Sequence, residues 1–240
     1  MNKITVGWMY PNLLNLHGER GSVQALVQAG KNLNVDVQVR RIEDFDDAIP
    51  FDELDLLFFL PGEIAVFPHL MRALRAQEPQ LHTYLERGGY LLALGTTGLM
   101  FGNSILREDG TTMECLGYLD MTATERKYVW GDDLHFRVNG TMQEIIGSQV
   151  QMADVEAKHP LGKTIYGMGN NNSGAEGARE GNVIYTNCLG PLFVKNPWFA
   201  ESIIKDICLQ KFLGMHQLTP NHRANASFES TLKFVQSKMK

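Results

Sequence analysis

The chain has 240 residues, of which 44% are hydrophobic and 20% charged. That is enough apolar residue for one large core, and too little charge for a disordered chain. The net charge of -5 argues against a nucleic-acid surface, and no basic run exceeds two residues, as at Arg40-Arg41.

Residues 4–9 are a short apolar run that suits a buried strand, followed at 10–19 by a loop rich in Asn and Gly. Val23, Leu26, Val27 and Leu33 recur at helical spacing over 22–33. Residues 35–39 alternate like a half-buried strand. Residues 54–60 form a continuous apolar run closed by Pro61-Gly62, the pattern of a parallel strand buried on both faces. Helical sequence follows over 67–87, with Pro79 as a break or a first-turn residue. Residues 90–94 are a further buried strand, which turns sharply at Gly95 into a short helical pattern carrying Thr96 and Thr97. Such a strand-to-helix elbow exposes a nucleophile in many α/β enzymes, yet no Cys or Ser stands at this tip. Thr96 and Thr97 are expected to cap the helix that follows.

After Gly102 the texture changes. Asp109-Gly110 is a hairpin signal, and residues 116–119, 122–129, 134–138 and 143–150 are strand candidates at close intervals. Residues 167–181, with Asn170-Asn171-Asn172, read as a long turn-rich loop, flexible at the surface or reserved for a partner. A strand is expected at 182–187 and a helix at 197–213, opened by Pro197 and followed by Gly214. The alternation of strands and helices predicts a flavodoxin-like, doubly wound, mostly parallel sheet with added antiparallel strands. Residues 1–214 form that domain, and 215–240 a polar helical tail.

Cys115, Cys188 and Cys208 are odd in number and contain no C-x-x-C pair, which favours a reducing cytoplasmic location without structural zinc. The apolar run near the start is too short for a signal peptide, and 54–60 is too short to span a bilayer. No glycine-rich phosphate loop and no metal-ligand spacing occurs, so neither a cofactor nor a metal is expected. Gly62 and Glu63 follow a buried strand at the sheet edge where such folds bind ligands, although an ordinary strand-to-helix turn fits them equally.

The run Met9-Tyr10-Pro11-Asn12-Leu13-Leu14-Asn15-Leu16-His17-Gly18-Glu19-Arg20-Gly21 resembles the opening signature of the cobyric-acid-synthase-like glutamine amidotransferases. Further pieces match in order: Leu57-Phe58-Phe59-Leu60-Pro61-Gly62, the elbow over 92–102, Leu116-Gly117-Tyr118-Leu119-Asp120, Tyr166-Gly167-Met168-Gly169-Asn170-Asn171 and Asn187-Cys188-Leu189-Gly190. The resemblance runs from about residue 4 to 213 and is strongest to the GatD-type glutaminase subunits, which partner a Mur-ligase-like (MurT-type) subunit. It implies an elbow cysteine that attacks the glutamine side-chain amide, a histidine base on a late loop, and delivery of ammonia to a ligase that makes cell-wall precursors.

The resemblance also shows what has been replaced. The family's Cys-Gly-Gly elbow is Gly95-Thr96-Thr97 here, and its Gly-Gly-Gly turn is Leu60-Pro61-Gly62. Its late loop, Gly-Thr-Tyr-Leu-His-Gly-Pro, is set against Gly190 to Asn196, which puts Val194 at the base. A substrate-contacting arginine falls near Tyr128. The expected vestigial pocket therefore comprises Gly62, Glu63, Gly95, Thr96, Thr97 and Val194, with no catalytic residue. The expected function is a GatD-like subunit without glutaminase activity that binds or regulates a Mur-ligase-like enzyme. The alternatives are an amidotransferase or hydrolase with rearranged residues, and a free-standing protein that binds a glutamine-like ligand.

Overall fold

The computed structural model describes residues 2–216 and 222–239. The first strand β1 (Asn2–Met9) pairs in parallel with β2 (Val35–Ile42) on one side and β3 (Leu56–Phe59) on the other. The strand β4 (Tyr90–Leu94) pairs in parallel with β3 and with the late strand β12 (Val183–Thr186). The short β11 (Ala178–Glu180) closes that edge antiparallel to β12, so the order is β11-β12-β4-β3-β1-β2. Leu56, Leu57, Phe58 and Phe59 are all fully buried, which explains the unbroken apolar run: this strand has no solvent face. The first crossover is α1 (Arg20–Asn32), and the second is α2 (Phe67–Arg75) followed by α3 (Glu78–Glu86), with Pro79 in the first turn of α3. Proline there removes an N–H that has no helical partner anyway.

The antiparallel half is a second sheet of seven strands among the described residues. The hairpin of β5 (Ser104–Leu106) and β6 (Thr112–Glu114) turns at Asp109-Gly110 as the sequence predicts. The expected strands at 122–129 and 134–138 are one strand, β7 (Met121–Val138), paired with β8 (Glu144–Ala157). Its register breaks between Glu125 and Trp130, where extra residues bulge outward and leave Tyr128 82% exposed. Residues 116–119 are not a strand. The N–H groups of Leu116, Gly117 and Leu119 donate to the carbonyls of Met100, Gly102 and Phe101, so the segment satisfies the end of the elbow turn instead of a ladder.

The sequence reading missed β9 (Gly162–Tyr166), which flanks β7 and carries β10 (Ala175–Glu176) on its other side. The loop at 167–181 is not a free surface loop. Gln149 bonds both the N–H and the carbonyl of Gly169, Gln151 donates to the Asn170 carbonyl, and the Asn170 side chain bonds both backbone groups of Gly177. Asn170 is accordingly 3% exposed.

The strand β13 (Cys188–Leu189) pairs with β8 and leads into α4 (Leu192–Lys195) and α5 (Pro197–Gln210). Helix α5 ends before Gly214, short of the predicted 213. The last helix, α6 (His222–Ser237), buries Val235 and is fastened beyond its end by Lys238, whose Nζ lies 2.5 Å from Asp133 Oδ2. Within the expected helical tail at 215–240, residues 217–221 and 240 lie outside the described residues. No helix among the described residues is long and apolar enough to cross a membrane.

Candidate functional site

The carboxyl ends of β1, β3, β4 and β12 share one edge of the parallel sheet, and four loops leave from it. Open α/β sheets bind ligands at this edge, outside the strand ends. The loop after β1 folds down on the loop after β3: Leu16 N–H donates to the Pro61 carbonyl at 3.1 Å, and a Cβ at Gly62 would stand 2.3 Å from a Leu14 methyl. A side chain at 62 would require Leu14 to shift. Glu63 points to solvent and opens a 3-10 turn over Ile64–Val66 without a capping bond from its side chain.

Gly95 begins a 3-10 turn over Gly95–Phe101, with φ at +59°, the left-handed region that side chains other than glycine adopt at a cost. A Cβ built there would lie 3.1 Å from both Cβ and Cγ of Pro61 and 3.4 Å from a Leu189 methyl. The tip is therefore walled by apolar atoms from the loop after β3 and from the end of β13. The Thr96 hydroxyl donates to the Gly62 carbonyl, tying the elbow to the neighbouring turn. Thr97 is fully buried and its hydroxyl has no partner, although it would lie 3.5 Å from a Cβ at Gly62. Neither threonine caps the turn: the cap position is Leu94, with no side-chain bond. The reason is orientation, since Thr96 faces the β3 loop and Thr97 the interior.

Gly62, Gly95, Thr96 and Thr97 are thus brought together, and Val194 is not brought to them. It is 50% exposed on α4, and its methyl approaches Gly21 at the start of α1. It lines a surface hollow with Ala25, Ala29 and Pro197, between α1 and α5. The late-loop residue that faces Gly95 is Leu189.

Two buried carboxyls that the sequence did not single out organise the late loop. Glu19, inside the opening signature, is fully buried; one oxygen accepts from the Gly190 N–H and the other from the Leu192 N–H at 3.0 Å and the Ser22 hydroxyl at 2.8 Å. Burial raises its pKa above the ordinary carboxyl value, opposed by these donors and by the Lys195 charge. Glu176 is also fully buried; Oε1 accepts from the Thr186 hydroxyl and the Asn187 N–H, each at 2.8 Å, and Oε2 has no partner. Burial pushes its pKa up to about 7. Cys188 lies beside these acids, fully buried, its thiol pushed well up first by burial and then by Glu176 and Glu19. Such a setting disfavours the reactive thiolate. Burial likewise pushes the Cys115 thiol up to about 11.

Three histidines have partners of their own. His69 stacks on Phe45, His135 bonds Glu144 at 2.9 Å, and His159 lies 3.8 Å from Glu180. Among the described residues no three His, Cys, Asp or Glu side chains gather where they could hold a metal ion.

No protein-family model matches the chain. It is 27% identical over 214 residues to the Lipid II isoglutaminyl synthase (glutamine-hydrolyzing) subunit GatD of Staphylococcus aureus (strain N315), covering 88% of this chain and 87% of that one. To the subunit of the same name in Streptococcus pneumoniae (strain ATCC BAA-255 / R6) it is 24% identical over 217 residues, covering 88% and 82%. Among solved structures it superposes on PurLQS from Thermotoga maritima with a TM-score of 0.57 at 13% identity, covering 87% of this chain and 98% of the other. A crystal structure of a glutamine amidotransferase gives 0.53 at 15% identity, covering 84% and 98%. The chain has a GatD-like glutamine amidotransferase fold.

Proposed function

We propose that this protein is a GatD-like subunit that no longer hydrolyses glutamine and serves a Mur-ligase-like partner in the cytoplasm, in cell-wall precursor metabolism. The observation that carries this reading is the elbow tip: Gly95 has no side chain to attack an amide, and Pro61 and Leu189 occupy its surroundings. Hydrolysis of an amide by this fold needs a thiolate and a base. Loss of such a nucleophile costs about a million-fold in rate in comparable sites.

The place of the missing base follows from the same contact. The family's late loop ends His-Gly-Pro, and Gly190-Pro191 supplies its last two residues, which sets Leu189 at the histidine. Leu189 touches the position where a Gly95 side chain would be, as a base should touch its nucleophile. This registration replaces Val194, which lies on α4 and faces Gly21 and the hollow between α1 and α5. Pro61, in place of a glycine of the family's turn, then fills the space beside the nucleophile. Nucleophile, base and neighbouring turn are thus changed together, into residues that pack against each other.

A hydrolase with rearranged residues would need a Thr or Cys within hydrogen-bond reach of a histidine. Among the described residues no such pair is found. The glutamine-like ligand that an open pocket would take has no room at Gly95 itself. We read the retained sheet edge, with residues 1–214 as the body and 215–240 as an appended tail, as a surface kept for the partner.

The test is amidation by the partner ligase reconstituted with this subunit, with ammonium or glutamine as nitrogen source. Amidation is expected with ammonium and absent with glutamine, with formation of a stable complex. Efficient glutamine-dependent amidation would sink the reading, as would failure of the two proteins to associate.

A further inference from the structure

At the turn end of the β7–β8 hairpin, beyond β13, one row of side chains crosses three strands. Arg137 on β7 is paired with Glu144 on β8 and with Lys163 on β9. Directly opposed residues on one face stand about 5 Å apart at Cβ, and like charges so placed are destabilising. Arg137 and Lys163 are such a pair. The carboxylate in the row does not neutralise both. Glu144 Oε1 accepts from Arg137 Nη2 at 2.7 Å, and Oε2 bonds His135 Nε2 at 2.9 Å. Lys163 has no ion-pair partner among the described residues. The row therefore carries two cations against one carboxylate, and that carboxylate is already saturated.

The cations border a hollow of about 630 Å³, walled by the Asn139-Gly140-Thr141 turn and by Gln236 and Met239 at the end of α6. Volumes of this order hold small metabolites. His135 forms part of the floor, 1% exposed, with Nδ1 unpartnered. The rest of the lining is mixed, with Val138, Ile165 and Met239 beside Thr164 and Glu144, and an arginine with an opposed unpaired lysine is the complement of an anionic head group.

We propose that this hollow binds the carboxylate or phosphate group of a small anionic metabolite between Arg137 and Lys163. The anion relieves the repulsion between the two cations, and the turn and α6 contact the rest of the molecule. The site uses none of the residues around Gly95, so it stands apart from the reading of the elbow.

The test uses the full-length protein in buffer free of both anions, titrated separately with inorganic phosphate and with glutarate and followed by amide NMR shifts and thermal melting. The expected result is a saturable shift of amides around Gly140 and Lys163 with at least one anion. Phosphate alone would identify a phosphorylated ligand, and glutarate alone a carboxylate. Lys163→Gln, at an exposed position where folding is not at stake, is expected to lose the saturable shift. It should also melt higher than the parent without anion, because the repulsion is gone. Absence of a saturable shift with either anion, or undiminished binding by Lys163→Gln, overturns the proposal. So does a variant that melts no higher than the parent.

Discussion

Glu176 is an acid whose protonated form the fold favours. Its folded pKa of about 7 lies above the ordinary 4.5, with burial as the main cause. Between these values the folded protein retains a proton that the unfolded chain has released. Stability is therefore lost as pH rises from 4.5 to about 7, and the loss persists above that. Glu176→Gln keeps an oxygen for Thr186 and Asn187 and removes the ionisation. It is expected to stabilise by up to about 3 kcal/mol above neutrality, by the conversion of 1.36 kcal/mol per pKa unit, and by almost nothing in mild acid. Urea denaturation at the two pH values measures this; equal effects at both would contradict it. Gly95→Cys asks the opposite of the elbow. The left-handed backbone alone costs a non-glycine residue about 1–2 kcal/mol, and the Pro61 and Leu189 contacts add to it. Paired with Val194→His it is expected to melt lower and to gain no glutaminase activity, since residue 194 is turned away from the elbow. Near-family turnover in that double variant would show the geometry misread. That no Cys or Ser stands at the elbow tip was legible in the sequence as Gly95-Thr96-Thr97. The partners of Gly95 were not, because Pro61 and Leu189 lie far from it in the chain and meet it only in the fold. Glu19 stood in full view inside the opening signature, yet its bonds to Gly190 and Leu192 cross 171 and 173 residues.

The β-α alternation of the first hundred residues was readable because each element has one period and a clear stop: Pro61-Gly62 after β3, Pro79 inside α3, Gly88-Gly89 before β4. The second half was less so. Periodicity cannot see that β7 continues through its bulge, or that residues 116–119 spend their N–H groups on the elbow turn. The joint between the two halves rests on another residue that no local pattern marks. Asn196, fully buried between α4 and α5, accepts from the Ile146 N–H at 2.9 Å and donates to the Ile146 carbonyl at 2.7 Å and the Leu192 carbonyl at 2.8 Å. It therefore clamps β8 to the helical corner that carries the late loop. Asn196→Ala removes three buried bonds at once and is expected to cost about 2–4 kcal/mol, since stranded buried polar groups cost about 1–3 kcal/mol each. A denaturant midpoint close to that of the parent would show that the clamp is dispensable.

At the scale of the molecule, the sheet edge that binds ligands in this architecture is present, and what has changed is what fills it. Pro61, Gly95 and Leu189 pack together where an amidotransferase needs a thiolate, a base and an open turn. A fold does not by itself preserve an activity, and we propose that here the scaffold persists with its chemistry replaced by packing. On that proposal, association with a Mur-ligase-like partner is the function the scaffold still performs. The most direct measurement is ammonia release from glutamine by the purified protein, alone and saturated with that partner. The account predicts no release above the buffer background in either state. Sustained glutamine turnover that follows the protein through purification, and that Gly95→Ala or Leu189→Ala alters, would contradict it.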